Sequence, residues 1–233
     1  MPWPNGDPKI LFFDIETTNL KADFGWCLAI GYKWYGKNRV YVPSIMDYEG
    51  WEQDVTDDSA LLADFLAVYE EADMVVSYFG KGFDCKFLNA RLLEHRLGIL
   101  PNTPHVDLFY TVKANLALSR KSLQNVGYHL GLSNEKTPVE GKVWVQAQVG
   151  KPKAIKYVID HCKSDVLILE EAYTTLRPLV RTHPRVRGLH PCRVCGSSHL
   201  QRRGSVLTVL QGPRYRVFCT DCGAWETRPE RQK

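Results

Sequence analysis

The chain has 233 residues, 44% of them hydrophobic and 24% charged, with a formal net charge of +4. That balance is ordinary for a soluble globular protein, and the length suits one medium domain plus one small one. No apolar run approaches the ~18 residues that span a bilayer, and the stretch MPWPNGDPKI has neither the basic nor the apolar region of a secretory signal. A cytoplasmic protein away from membranes is expected, with its cysteines reduced and any clustered ones better suited to metal than to disulfides.

In chain order, Lys9–Phe13 reads as a first strand, Trp26–Tyr35 as a second and Arg39–Ile45 as a third, with Gly36, Lys37 and Asn38 as a hairpin turn. The three predict an antiparallel meander. Directly behind the first strand stand Asp14 and Glu16. At i and i+2 in an extended chain their carboxylates project to one side, where they repel unless a divalent cation lies between them. A solvated loop start is the other reading of this stretch taken alone.

From Ser59, a plausible N-cap, Leu62, Phe65, Leu66 and Tyr69 recur at helical spacing. MVVSYF (74–79) then reads as a strand and Lys86–Leu97 as a helix. HVDLFY (105–110) reads as a short strand or helix entry, and Ser122–Leu130 as a helix ended by Gly131. Meander first, then alternating helix and strand, predicts a mixed sheet with helices on its faces. Asp84 stands at the entry of the Lys86 helix, where an N-cap is its commonest role.

The clearest period belongs to a last helix, Lys153–Leu176. There Ile155, Ile159, Cys162, Val166, Leu169, Tyr173 and Leu176 draw an apolar stripe, which Pro178 stops. On this helix His161 and Asp165 are one turn apart beside the stripe. Such a pair in isolation is usually a surface contact.

Charge divides the chain. Residues 1–176 carry 18 Lys and Arg against 23 Asp and Glu, a net −5, whereas residues 177–233 carry 12 against 3, a net +9. A basic appendage on an acidic body points to a polyanion partner, nucleic acid first. The expected boundaries are a body over 1–176, a basic linker over 177–190 and a small domain over 191–233. Within the last, Cys192 and Cys195 pair with Cys219 and Cys222 as two Cys-x-x-Cys units, each followed by glycine, which suits one tetrahedral zinc; a disulfide or redox site is the alternative. SVLTVL (205–210) and RYRVFC (214–219) supply two strands between the cysteine pairs. Arg193, Arg202, Arg203, Arg214 and Arg216 decorate this module and offer planar forks for phosphate, although such ribbons also dock proteins.

Three segments together carry a family resemblance: FDIETT (13–18), SYFGKGFD (77–84) and HCKSD (161–165) resemble the three motifs of the DEDD exonucleases of the ribonuclease H-like superfamily. KSLQNVGYHLGL (121–132) is also similar to a helix segment common in that family. The resemblance implies an α/β fold with a mixed, five-stranded ribonuclease H-like sheet flanked by helices, followed here by a small β zinc ribbon. It implies that Asp14, Glu16, Asp84 and Asp165 hold two Mg²⁺ or Mn²⁺ ions and that His161 activates the attacking water; one structural Zn²⁺ on the four cysteines is expected from their spacing. The implied activity is 3′–5′ exonucleolytic hydrolysis of single strands or 3′ ends of DNA or RNA, with a polymerase or another replication or repair protein as a possible partner. A structure-selective endonuclease and an inert nucleic-acid-binding adaptor are the alternatives. Two departures stand out: the histidine is four residues before Asp165, a spacing usual for the tyrosine subtype, and the turn before Phe83 and Asp84, where the family often has asparagine, here has Phe79, Gly80 and Gly82.

Overall fold

In the computed structural model of the chain, which describes residues 8–133, 140–180, 183, 192, 194–208 and 212–229, the first strand β1 (Ile10–Thr17) continues past its apolar run through both acids. β2 (Cys27–Trp34) and β3 (Val40–Tyr41) complete the antiparallel meander. β3 is shorter than the predicted Arg39–Ile45. Pro43 lacks the N–H that a ladder needs, so beyond it only an isolated bridge between Ala29 and Ser44 remains. Ser44 then starts a 3-10 turn, Ile45–Asp47, through a capping box with Asp47.

Next come α1 (Ser59–Glu70), β4 (Met74–Ser77), α2 (Asp84–Glu94), β5 (His105–Asp107) and α3 (Leu108–Asn115). The sheet order is β3-β2-β1-β4-β5, with β4 parallel to β1 and β5 parallel to β4. This is the mixed five-stranded α/β sheet that the element order predicts.

Two helix starts differ from expectation. The cap position of α1 is Asp58, not Ser59, whose amide is taken by Asp57 at 3.0 Å. The Asp58 carboxylate is itself fully buried and accepts from the Cys27 N–H (2.7 Å), Arg91 Nη2 (2.8 Å) and His95 Nε2 (2.7 Å), which clips α1, α2 and the start of β2 together. α2 begins at Asp84 with Phe83 in the cap position, so Asp84 is the first helical residue and not the N-cap. It ends at Glu94, short of the expected Leu97, because Arg96 adopts a left-handed φ of 59° and closes the turn on Leu93.

α4 (Leu123–Leu130) matches its sequence signals: Ser122 accepts from the Asn125 N–H, and Gly131 ends the helix at a φ of 64°. α5 (Gly141–Gln148) has no counterpart in the sequence reading. α6 (Pro152–Leu176) is the 25-residue helix that the apolar period predicts.

β1 is a central strand buried on both faces, as its unbroken apolar run requires. Phe13 packs against Phe65 (5.6 Å between ring centroids) and Tyr69 (5.7 Å) of α1, while Phe12 meets Tyr173 of α6 at 5.4 Å on the other face. Each such buried aromatic contributes about 1.5–3 kcal/mol. A partly buried ion pair between Lys33 of β2 and Glu170 of α6 ties the long helix to the sheet.

The chain divides into two compact units, Met1–Tyr173 and Thr174–Lys233. Of the linker segment 177–190, only residues 177–180 and 183 are among those described. The second unit holds an antiparallel sheet, β6 (Leu200–Thr208), β7 (Gly212–Cys219) and β8 (Trp225–Pro229), in that order. The sequence reading has only the first two of these strands. Among the described residues, no helix is long and apolar enough to cross a membrane.

Candidate active site and cysteine cluster

Alternation along β1 sends Leu11, Phe13 and Ile15 to the α1 side and Phe12, Asp14 and Glu16 to the α6 side. α6 approaches β2 closely at one point. Gly31, the register partner of Asp14, leaves room for Cys162: a β-carbon built on Gly31 would lie 2.7 Å from Cys162 Sγ and 2.9 Å from Val166 Cγ2. The Cys162 thiol in turn donates to the Asp14 carbonyl at 3.6 Å.

This approach delivers His161 and Asp165 to the two strand acids. His161 Nε2 lies 3.9 Å from Glu16 Oε1 and 3.8 Å from Asp165 Oδ2. Two groups of potential ligand atoms, each within 4.8 Å of one another, share Glu16: Asp14, Glu16 and Cys162, and Glu16, His161 and Asp165. Glu16, His161 and Asp165 are buried, and Asp14 is partly exposed.

Asp84 belongs to neither group, but it reaches the same strand. Burial pushes its carboxyl up to about 7, opposed by hydrogen bonds from its own amide and from that of Ile15, the residue between the two strand acids. Asp107 shapes the neighbouring turn: its carboxylate accepts from the amides of Phe79 (2.8 Å), Lys81 (3.0 Å) and Phe109 (3.1 Å), holding the loop between β4 and α2 against the start of α3. A cleft of about 430 Å³ opens over these elements, lined by Asp14 and Asp165 and, across from them, by Tyr78, Phe79, Phe109, Lys121, Ser122 and Leu123.

A model of the RNase_H_2 family, described as RNase_H superfamily, matches residues 11–177. The chain belongs to the RNase H superfamily. A search of curated proteins finds no match. RNase H-like membership suggests nuclease activity and nucleic-acid binding, and nucleases of this superfamily typically use divalent metals. The donors in this RNase H-like unit suit a hard cation, since they are carboxylate oxygens clustered on one side of β1. The thiol among them does not compete: burial pushes the Cys162 thiol far up, and Glu16, Asp14 and Asp165 push it further. It stays neutral near pH 7.

The second cluster is Cys192, Cys195, Cys219 and Cys222. Sγ–Sγ distances are 3.6 Å for both Cys192–Cys222 and Cys195–Cys219. A tetrahedron with Zn–S bonds of ~2.3 Å has edges of about 3.8 Å, so the spacing fits one zinc and lies far beyond the ~2.05 Å of a disulfide. The two turns repeat one geometry. Gly196 and Gly223 both take a left-handed φ, 72° and 70°, and donate to the carbonyls of Cys192 (2.8 Å) and Cys219 (3.0 Å). A hydrogen bond from Cys222 holds the Cys192 thiol down at about 4 and drives that of Cys222 up, while burial lifts Cys195 to about 11. The cluster is compatible with a zinc ribbon.

The ribbon arginines do not share one face. Arg214 and Arg216 alternate with Tyr215 and lie with Phe218 on the side of Thr227 and Trp225. Arg202, opposite Val217, lies on the other side with its guanidinium 4.8 Å from the Tyr215 ring. Arg203 donates to Gln201 at 2.5 Å. Arg193 lies outside the described residues.

Sequence reasoning overlooks Gly31 and the place of Phe79 and Phe109 in the wall of the cleft. A lone glycine inside an apolar strand is the signal for the first, since it marks close approach of another element.

Proposed function

We propose that the protein is a metal-dependent 3′–5′ exonuclease that hydrolyses DNA or RNA in the cleft of its first unit, with the zinc ribbon gripping the polyanion. The observation that carries this reading is the meeting of β1 and α6 at Glu16, whose carboxylate groups with Asp14 on one side and with the buried His161 and Asp165 on the other. Asp14, Glu16, Asp84 and Asp165 would hold the metal. Two divalent cations on these carboxylates would supply a nucleophilic water near neutral pH and stabilise charge on the leaving oxygen.

The remaining chemistry belongs to the chain. His161 Nε2 stands between two carboxylates and would accept the proton of the attacking water, a role that suits an imidazole at physiological pH. His161 and Asp165 are both buried, with Asp165 reaching the cleft wall. Asp107 shapes the loop before Asp84 and so positions the latter. In the ribbon, Arg214 and Arg216 would contact phosphate, which makes binding salt-dependent.

End-labelled single-stranded and duplex DNA and RNA, incubated with Mg²⁺ or Mn²⁺, test the reading. A ladder shortening from the 3′ end is expected. Internal cuts would make the protein an endonuclease, and binding without cleavage an adaptor; either outcome overturns the exonuclease assignment.

A further inference from the structure

The loop between β4 and α2 contains a residue that its backbone does not favour. Phe79 sits at a φ of 69°, a left-handed conformation that glycine and asparagine adopt readily and bulky side chains avoid. The loop has glycines one and three positions later, and both are needed there. A β-carbon on Gly80 would lie 2.2 Å from Ser77 Oγ, and one on Gly82 would lie 2.4 Å from the Phe79 ring itself. Backbone ease thus selects small residues around position 79 but not at it. Three amide hydrogen bonds, all to Asp107, hold the loop and the start of α3 in this form.

The strained backbone has a consequence for the ring. It lies along Gly82 with its edge toward Phe109, at 4.7 Å and 65° between planes, and remains 40% exposed. It lines the same cleft as Asp14 and Asp165. Phe109 is braced by Tyr78 at 6.1 Å, and the Tyr78 hydroxyl donates to the Lys121 carbonyl at 2.6 Å. One wall of the cleft is therefore anionic and the other is a fixed, partly open aromatic surface.

We propose that Phe79 is a base-stacking residue: its ring, supported by Phe109, receives one unpaired base of the polynucleotide whose backbone lies at Asp14 and Asp165. The proposal rests on the reading that this cleft takes nucleic acid, and it adds which side chain receives the unpaired end. Every base has a π-face, so an aromatic platform gives affinity without sequence preference. A space of about 430 Å³ is of the size that takes one small ligand, and it suits one splayed nucleotide better than a base pair.

The test is an oligonucleotide with 2-aminopurine at its 3′ or its 5′ terminus, titrated in Ca²⁺ against protein carrying Asp14→Asn to prevent cleavage. Stacking quenches the probe. Added Phe79→Ala is expected to relieve the quenching and weaken binding roughly 10-fold or more, and Phe79→Tyr to restore both. Phe79→Gly separates binding from folding: it loses the same ring as Phe79→Ala but suits the left-handed backbone, so its melting temperature should be no lower than that of Phe79→Ala, yet it should lose the same affinity. An abasic terminus should cost the parent protein the same factor, without adding to Phe79→Ala. Equal affinity and equal quenching in the Phe79→Ala protein would overturn the proposal. If the wild type cleaves in Mg²⁺ while Phe79→Ala binds as its parent does, stacking fails and the nuclease stands. If the wild type never cleaves but the Asp14→Asn protein quenches the probe through Phe79, the nuclease fails and stacking stands. Absence of both cleavage and binding overturns the two together.

Discussion

Gly31 and Cys162 are in mutual contact only because one of them has no side chain: a β-carbon at Gly31 would stand 2.7 Å from Cys162 Sγ and 3.3 Å from the Cys162 carbonyl. Since part of the obstruction is backbone, α6 itself has to move to admit a methyl group. Gly31→Ala is expected to cost about 1–3 kcal/mol in chemical denaturation through overpacking. Activity should fall further than stability, because His161 and Asp165 ride on the displaced helix. Cys162→Gly in the same chain should recover part of both losses; no recovery would break the link between this contact and the site.

The acid cluster makes a sharper prediction. Asp14→Ala or Asp165→Ala is expected to abolish cleavage with the fold retained by circular dichroism, since removing one anion from a crowded group relieves repulsion. His161→Ala should slow turnover roughly 100-fold or more if Nε2 takes the proton of the attacking water. A loss under about threefold would reduce it to a structural residue.

Asp84 ties stability to pH. Burial raises its folded-state pKa to about 7 from an ordinary 3.8, so between those values the folded chain holds the extra proton. Its contribution is therefore full below the unfolded pKa and is lost as pH rises toward the folded one. In EDTA, Asp84→Asn is expected to melt above the wild type at pH 8, and the gap should close toward pH 4. Both proteins keep His105, whose burial pulls it down to about 3 and works in the opposite sense. Mg²⁺ should favour the ionised carboxylate and narrow the gap at pH 8. A pH-independent gap in EDTA would refute the account.

Zinc removal bears on the second unit. So small a sheet buries little apolar surface, and the metal would supply most of its folding free energy. One zinc per chain is expected by elemental analysis. A strong chelator, or Cys192→Ser, should unfold the ribbon and leave the helical signal of the first unit intact. A ribbon that keeps its β signal without metal would contradict this.

The buried Asp58 carboxylate is the remaining weak point. Asp58→Ala takes the partner from the Cys27 amide and leaves Arg91 with Glu94 and the Thr56 carbonyl, and is expected to destabilise the first unit by about 3 kcal/mol. Urea titration measures it directly.

Most of the sheet was legible in the sequence because its signals are local. β1 is an apolar run, α6 keeps its period for 25 residues, and Ser122 and Gly131 mark the two ends of α4. The misreadings have two causes. At α1 the cap position falls to Asp58, whose carboxylate is held by Arg91 of α2, a tertiary pairing; β3 is instead cut short by Pro43, a local signal that the strand reading passes over. In the site, the i, i+2 acids and the i, i+4 pair His161 and Asp165 could each be read from spacing. What spacing does not carry is the absence of a side chain at Gly31, the cradle around Asp107 and the outward turn of Phe79. All three depend on neighbours more than 20 residues away.

The contact between Cys162 and Asp14 joins positions 148 residues apart. While the chain is being made, the strand acids emerge long before the helix that faces them. A ribosome-bound fragment ending before α6 has half of the acidic corner and nothing to close it. The corner is therefore completed only after nearly three quarters of the chain has been made, when its last large helix docks.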